Sequence, residues 1–370
     1  MIRKLRWIVG CGLVIAALVA VLVSAAIPTP PELQAFLRKE LAFTPSELSA
    51  LEAGQTIVRL PKTAETREVA AFAVMRLNVP QEFFLHKMRD IANFKKSENV
   101  LQIGRFSDPP RLEDLAGLAL DTFEIDTIRR CRPRKCDFKL SAAFIERFRK
   151  EVNWSSPGYQ DRANTLMQEM LLEYVRGYLS GGNSALGDYN DKSYNLNLAD
   201  EFRTLLQPAF YTYGYSPEFQ QYLLEFPHAR PAHVENFVYW SKEKFGLKPV
   251  ISITHIAAHR VSPVAGADVV IASKGIYANH YFEASLGLTA YVHSAVSNQP
   301  RTYLIYINRS KADALRGMFA GFKRSLISGR LRDGAKKNME MIKQKLESEF
   351  QSGNIRETRN PYSLTSAGKP

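Results

Sequence analysis

The chain has 370 residues, 45% of them apolar and 23% charged, with a formal net charge of +12. Those fractions belong to a globular protein with a substantial core and exclude a wholly disordered chain. The positive charge is dispersed. Its densest stretch, residues 311–370, holds 13 Lys and Arg against 6 Asp and Glu, which suits an anionic membrane surface, nucleic acid or a plain solvated helix face.

Arg3, Lys4 and Arg6 precede an uncharged apolar run from Trp7 to Ala26. Cations before such a run are held on the cytoplasmic side while the run enters the bilayer. Twenty residues approach the length that spans about 30 Å of hydrocarbon. Ser24-Ala25-Ala26 also offers the small residues of a cleavage site, and Pro28, Pro30 and Pro31 end any helix there. Residues 1–26 therefore read as a signal peptide or an N-terminal membrane anchor. Both place the rest of the chain outside the compartment of synthesis, periplasmic or extracellular, and make nucleic acid the least suitable partner.

Residues 27–66 read as a linker with short helices, one started by the capping box Thr44-Pro45-Ser46-Glu47. Arg67–Asn78 reads as a strand, Pro80–Lys95 as a helix and Asn99–Phe106 as a second strand. Residues 111–246 read as almost wholly helical. Ser141 caps one helix, and Gln160–Leu179 has the clearest 3/4 apolar spacing in the chain. Leu198–Leu206, Ser216–Phe226 and Val234–Phe245 read as further helices. Pro249–Arg260, Ala267–Tyr277, His280–Val292 and Thr302–Asn308 are β-rich runs with short turns, which favour an antiparallel meander. About 311–350 forms a long helix weakened by Gly317, Gly321, Gly329 and Gly334, and 352–370 reads as a disordered tail.

Three cysteines occur, Cys11 among them in the apolar run. Cys131-Arg-Pro-Arg-Lys-Cys136 lacks further ligands for zinc, and an oxidising compartment favours a local disulfide. His255, His259 and His280 are the one tempting metal cluster. His255 and His259 stand roughly 13 Å apart along an extended strand, too far for one ion, so no metal is expected. Asp188-Tyr189-Asn190-Asp191 lacks the Gly and Glu of a calcium loop. No catalytic, phosphate-binding or dinucleotide motif occurs, and no cofactor is implied.

Set apart from 111–246, the order is strand, helix, strand, four antiparallel strands and a long helix. Val74-Met75-Arg76-Leu77-Asn78-Val79-Pro80-Gln81-Glu82-Phe83, Arg89-Asp90-Ile91-Ala92-Asn93-Phe94 and the stretch Thr302–Glu347 carry a resemblance to the START-like (SRPBCC) helix-grip superfamily. It covers about 150 of 370 residues. The resemblance implies an α+β fold in which an antiparallel β-sheet grips a long C-terminal helix. The domain would be discontinuous, 67–110 with 247–351, around a mostly helical insertion at 111–246. It also implies a cavity between sheet and helix, lined by Phe282, Leu286, Leu288, Ile305, Ile307, Phe319 and Phe322, with His280, Glu283 and Arg260 as polar candidates. The expected role is binding of a lipid or other hydrophobic ligand near the membrane. The alternatives are a cavity enzyme of the cyclase or hydrolase type, using His255, Arg260, His280 or Glu283, and an envelope protein that binds a partner through 111–246.

Overall fold

A computed structural model describes residues 29–206, 217–246, 248–261, 267–294, 301–316 and 320–358. The apolar run at 7–26, Phe319 and the C-terminal tail lie outside them. No described helix is long and apolar enough to cross a membrane.

The fold is α+β, built on one eight-stranded antiparallel sheet. Its strands are β1 (Ile57–Arg59), β2 (Glu68–Arg76), β3 (Val100–Arg105), β6 (Val234–Phe245), β7 (Lys248–Arg260), β8 (Val269–Ala278), β9 (Phe282–Ser294) and β10 (Arg301–Ala312), while β4 (Asp188–Tyr189) and β5 (Leu196–Asn197) pair separately. The spatial order is β1-β2-β10-β9-β8-β7-β6-β3. Strands β6 to β10 form the expected meander with one strand more than the sequence suggested. Val234–Phe245 is a strand and not a helix, and it pairs along its whole length with β7.

The helices divide between the two faces of the sheet. On one face lie α3 (Gln81–Arg89), α4 (Ile91–Lys95) and α10 (Ala320–Thr358). Phe84, Leu85, Met88, Ile91, Met339 and Leu346 pack there on Ala73, Met75, Tyr239, Ile256, Ile271, Tyr291 and Leu304. On the other lie α1 (Pro31–Leu41), α2 (Pro45–Glu52), α5 (Thr122–Arg130), α6 (Ala142–Glu151), α7 (Tyr159–Gly181), α8 (Leu198–Leu206) and α9 (Pro217–Glu225). Their apolar stripes share a larger core with Phe72, Trp240, Ile253, Ala272, Leu286, Leu288, Ile305 and Ile307.

Local chemistry explains where these helices start and stop. Thr44 and Glu47 form the expected capping box, and Ser141 accepts from Phe144 N at 3.2 Å. Asp121 and Glu124 make a further box at the start of α5. Helix α7 ends at Gly182, whose φ of +61° suits glycine; a Cβ there would fall 1.5 Å from the Phe226 carbonyl oxygen.

Cys131 and Cys136 are joined, with sulfurs 1.97 Å apart. The closed loop is held to the neighbouring segment by Arg134 N donating to Asn190 O at 2.7 Å and Cys136 N to Asp191 O at 2.9 Å.

Candidate functional site

Side chains alternate along a strand, so each of β6 to β10 shows one row to the helical layer and one to α10. Toward the helical layer every position from Ile251 to Ala257 on β7 and from Ala284 to Ala290 on β9 is buried. The α10 side differs along its length. One half is apolar, with Ile256, Ile271, Tyr291 and Leu304 beneath α3. Beyond it the same rows turn small and polar: Ser241, Ser252 and Thr254, then Ser273 and Gly275, then Ser285, Gly287 and Thr289, then Tyr306, Asn308 and Ser310.

Register brings these residues together. Ser241 pairs with Ser252, Thr254 with Gly275, Gly275 with Ser285, and Ser285 with Ser310. Ser273 pairs with Gly287 and Gly287 with Asn308, while Thr289 faces Tyr306. The result is one strip of hydroxyls and glycines crossing five strands. Ser252, Thr254, Ser273, Gly275, Ser285, Thr289, Tyr306 and Asn308 are only half-buried.

Part of the strip satisfies itself. Ser285 and Ser310 hydroxyls lie 2.9 Å apart, Asn308 Nδ2 donates to Ser285 Oγ at 3.3 Å, and Ser310 Oγ donates to Asn308 Oδ1 at 2.7 Å. Among the described residues the hydroxyls of Thr254, Ser273 and Thr289 have no protein partner. Toward β6, Lys95 Nζ pairs with Glu243 at 2.7 Å and stands 5.4 Å from the Tyr239 ring centre. The face is therefore apolar at one end, hydrogen-bonding in the middle and charged at the β6 side.

The residues singled out in the sequence fall elsewhere. Leu286, Leu288, Ile305 and Ile307 lie in the core under the helical layer, on the face away from α10. They do not line a space beneath that helix: alternation reveals which residues share a face, while the topology decides what covers it. Phe282 is half-buried at the start of β9, 4.8 Å from the Phe245 ring. The Phe322 side chain lies outside the described residues.

Arg260 pairs with Glu82 on the surface at 2.7 Å. Glu283 is buried and accepts from Arg67 at 2.7 Å, Arg316 at 2.6 Å and Tyr194 at 3.2 Å. His280 packs on Phe138, and burial, assisted by Lys248 and Lys139, brings its pKa down to about 4. His255 is buried under the helical layer, where burial and Lys274 depress it to about 3. Its Nε2 lies 2.9 Å from Asn236 Oδ1, an acceptor, so Nε2 carries the proton and Nδ1 accepts from Tyr178 Oη at 2.8 Å. His259 stacks on Phe219. Arg260 sits on the surface while His255, His280 and Glu283 are each engaged separately, so the four do not converge on one point. Among the described residues no group of three or more His, Cys, Asp or Glu is placed to hold a metal ion.

Two features escaped the sequence reading. One is the hydroxyl strip. The other is Lys274, buried on the opposite face between the rings of Phe202 and Tyr178, at 4.7 and 5.3 Å from their centres, and bonded to Asn183 Oδ1.

No family model, curated protein or solved structure matches this chain.

Proposed function

We propose that the α10 face is a ligand groove of helix-grip type and that the protein is an exported or membrane-anchored binder of an amphipathic molecule of lipid character. The reading rests above all on the asymmetry of the sheet. The face under the helical layer is sealed, while the α10 face pairs an apolar half with a half-buried hydroxyl strip. Such a surface suits a ligand with a hydrocarbon part and a hydrogen-bonding part, because unpaired hydroxyls in contact with hydrocarbon alone are costly. Gly275 and Gly287 keep the floor low, where larger side chains would fill it.

The topology supports the same architecture. The β2-α3-α4-β3 segment leaves the sheet beside β1 and re-enters it at the far edge beside β6, crossing the face on which α10 also lies. In this reading the sheet is the floor of the groove, and the crossing helices and the long helix are its walls. Export, and attachment to the bilayer through residues 7–26 where these are retained, would bring the groove to a membrane and its lipids.

The test is native mass spectrometry of the full-length protein, with solvent extraction of what it carries. A lipid or similar amphiphile should accompany the wild type. The Ser273→Leu/Ser285→Leu variant, which fills the strip at half-buried positions, should lose it while keeping its thermal transition. A wild type that carries nothing and binds no fluorescent fatty acid or lysophospholipid would overturn the reading. Undiminished binding by the variant would do the same.

A further inference from the structure

The end of the sheet that holds the β6–β7 and β8–β9 turns carries an exposed aromatic group. Phe123 at the start of α5 is 56% exposed and Phe245 at the end of β6 is 49% exposed, the two highest values among the large apolar side chains described. They belong to one patch. Lys248 Nζ lies 5.4 Å from the Phe123 ring centre, Lys248 pairs in register with Phe245, and Phe245 stands 4.8 Å from Phe282 and 6.0 Å from Tyr281.

Cations surround this patch. Lys244 is exposed beside Phe245. The disulfide loop adds exposed Arg134 and Lys135, and it adjoins through Phe138, which packs on His280 at 5.3 Å. Arg134 and Lys135 line an open cleft of about 600 Å³ together with Lys192, Tyr194 and Arg316. Among the described residues Arg134, Lys135, Lys244 and Lys248 have no carboxylate partner. Most acids nearby are occupied: Asp121 with Lys242 at 3.5 Å, Asp137 with Lys192 at 3.5 Å, Asp191 and Asp313 with Lys139 at 3.7 and 3.2 Å, and Glu283 with Arg67 and Arg316. Asp126, one turn along α5 from Phe123, is the exception among them, with no cation partner among the described residues.

We infer that this end docks on an anionic lipid bilayer, with Phe123 and Phe245 entering the interfacial layer and the lysines and arginines meeting lipid phosphates. Exposed rings ringed by unpaired cations on flexible stems are what such a surface requires. An acidic protein face would match the cations and leave the two half-exposed rings without hydrocarbon to enter. The inference is independent of the ligand groove.

The patch is also far from the point where the described chain begins. Thr29, the first described residue, bonds to Glu52, whose carboxylate accepts from Arg301 at 2.6 Å and Tyr303 at 2.8 Å. That is the start of β10, whereas the aromatic patch lies at its other end, where Ala312 pairs with Phe282. At about 3.3 Å per residue the two ends are roughly 36 Å apart. The patch therefore lies at the end of the sheet opposite the one where Thr29 is held.

The experiment uses the full-length chain in phosphatidylcholine nanodiscs, mixed with liposomes of phosphatidylcholine alone or with phosphatidylglycerol and separated by flotation. We expect co-flotation with the phosphatidylglycerol liposomes only. It should be weakened at least about tenfold by Phe123→Ser/Phe245→Ser and by Lys244→Glu/Lys248→Glu. Circular dichroism and an unchanged thermal transition verify that these surface variants fold. Equal binding to neutral liposomes would overturn the inference, as would full binding by the Phe double variant. Binding to heparin beads without binding to either liposome would assign the cations to a soluble polyanion instead.

Discussion

Lys274 has exchanged water for two aromatic rings and one amide oxygen, and none of the described carboxylates faces it. Burial alone brings its pKa from the ordinary lysine range down to about 7. The groups around it, Tyr178, His255, Asn183 and Phe202, supply no negative charge to offset the loss of hydration. The folded-state pKa lies below the unfolded one, so between about 7 and 10.4 the unfolded chain binds the extra proton. Stability must then rise with pH in that window, and the contribution is lost as pH falls through 7. Burial holds His255, His259 and His280 below the ordinary imidazole range, and unfolded tyrosines titrate only at the window's upper edge, so pH 7 to 9 is where the Lys274 slope is sought. Urea unfolding should show a gain of roughly 1.4 kcal/mol per pH unit there, and Lys274→Met should abolish that slope. The variant should also be the more stable protein at pH 6, because methionine fills the site without a charge to desolvate. A wild type whose stability is flat from pH 7 to 9 would show that Lys274 keeps its charge in the fold.

At the scale of elements, the far edge of the sheet depends on one close contact. Trp240 of β6 lies across Gly104 of β3 and donates through Nε1 to the Asp114 carbonyl at 2.8 Å. A Cβ on Gly104 would stand 2.7 Å from the indole ring, inside van der Waals contact with a side chain that is itself fixed. Gly104→Ala should therefore cost about 1–3 kcal/mol in urea unfolding. Gly158→Ala, where the added methyl meets open space, should cost little; equal effects would refute the steric account. The same strand shows why parts of the fold were hidden in the sequence. Strand β6 is packed on both faces, with Val234, Val238 and Trp240 toward the helical layer and Phe237 and Tyr239 toward α3 and α10. Two buried faces give the unbroken run Phe237-Val238-Tyr239-Trp240 in place of an alternation, and such a short run fits helical spacing as well as strand spacing. Strand β1 is too short to leave a pattern. The Thr44 capping box, the Ser141 cap and the long stripe of α7 were legible because they are local. The hydroxyl strip was half legible: Ser273 and Gly275, or Ser285, Gly287 and Thr289, alternate visibly. Only the register joins them across five strands.

For the molecule as a whole, the helical layer and the sheet are parts of one core. Leu166, Met170, Val175, Phe202 and Phe219 lie in the same apolar cluster as Ile253, Ala272, Leu288 and Ile305. Ion pairs reinforce the junction at the α8 end: Lys311 of β10 meets Glu201 at 2.7 Å, Arg67 meets Glu201 and Glu283, and Arg309 meets Glu68 at 2.6 Å while donating to the Leu205 carbonyl. Such buried pairs add little net stability when complete, but breaking one leaves a charge unpaired at a cost of several kcal/mol. Peeling the helices away would uncover the apolar sheet face and break these pairs together. The helical layer should not unfold ahead of the sheet, and calorimetry should show one transition, with near- and far-ultraviolet circular dichroism changing in step. Because α10 and the hydroxyl strip belong to that same sheet, an amphiphile bound on the α10 side should move the whole transition upward, by mass action, and not one part of it. Two resolved transitions, or a ligand that shifts only one signal, would mean that the layers are energetically separate despite their shared core.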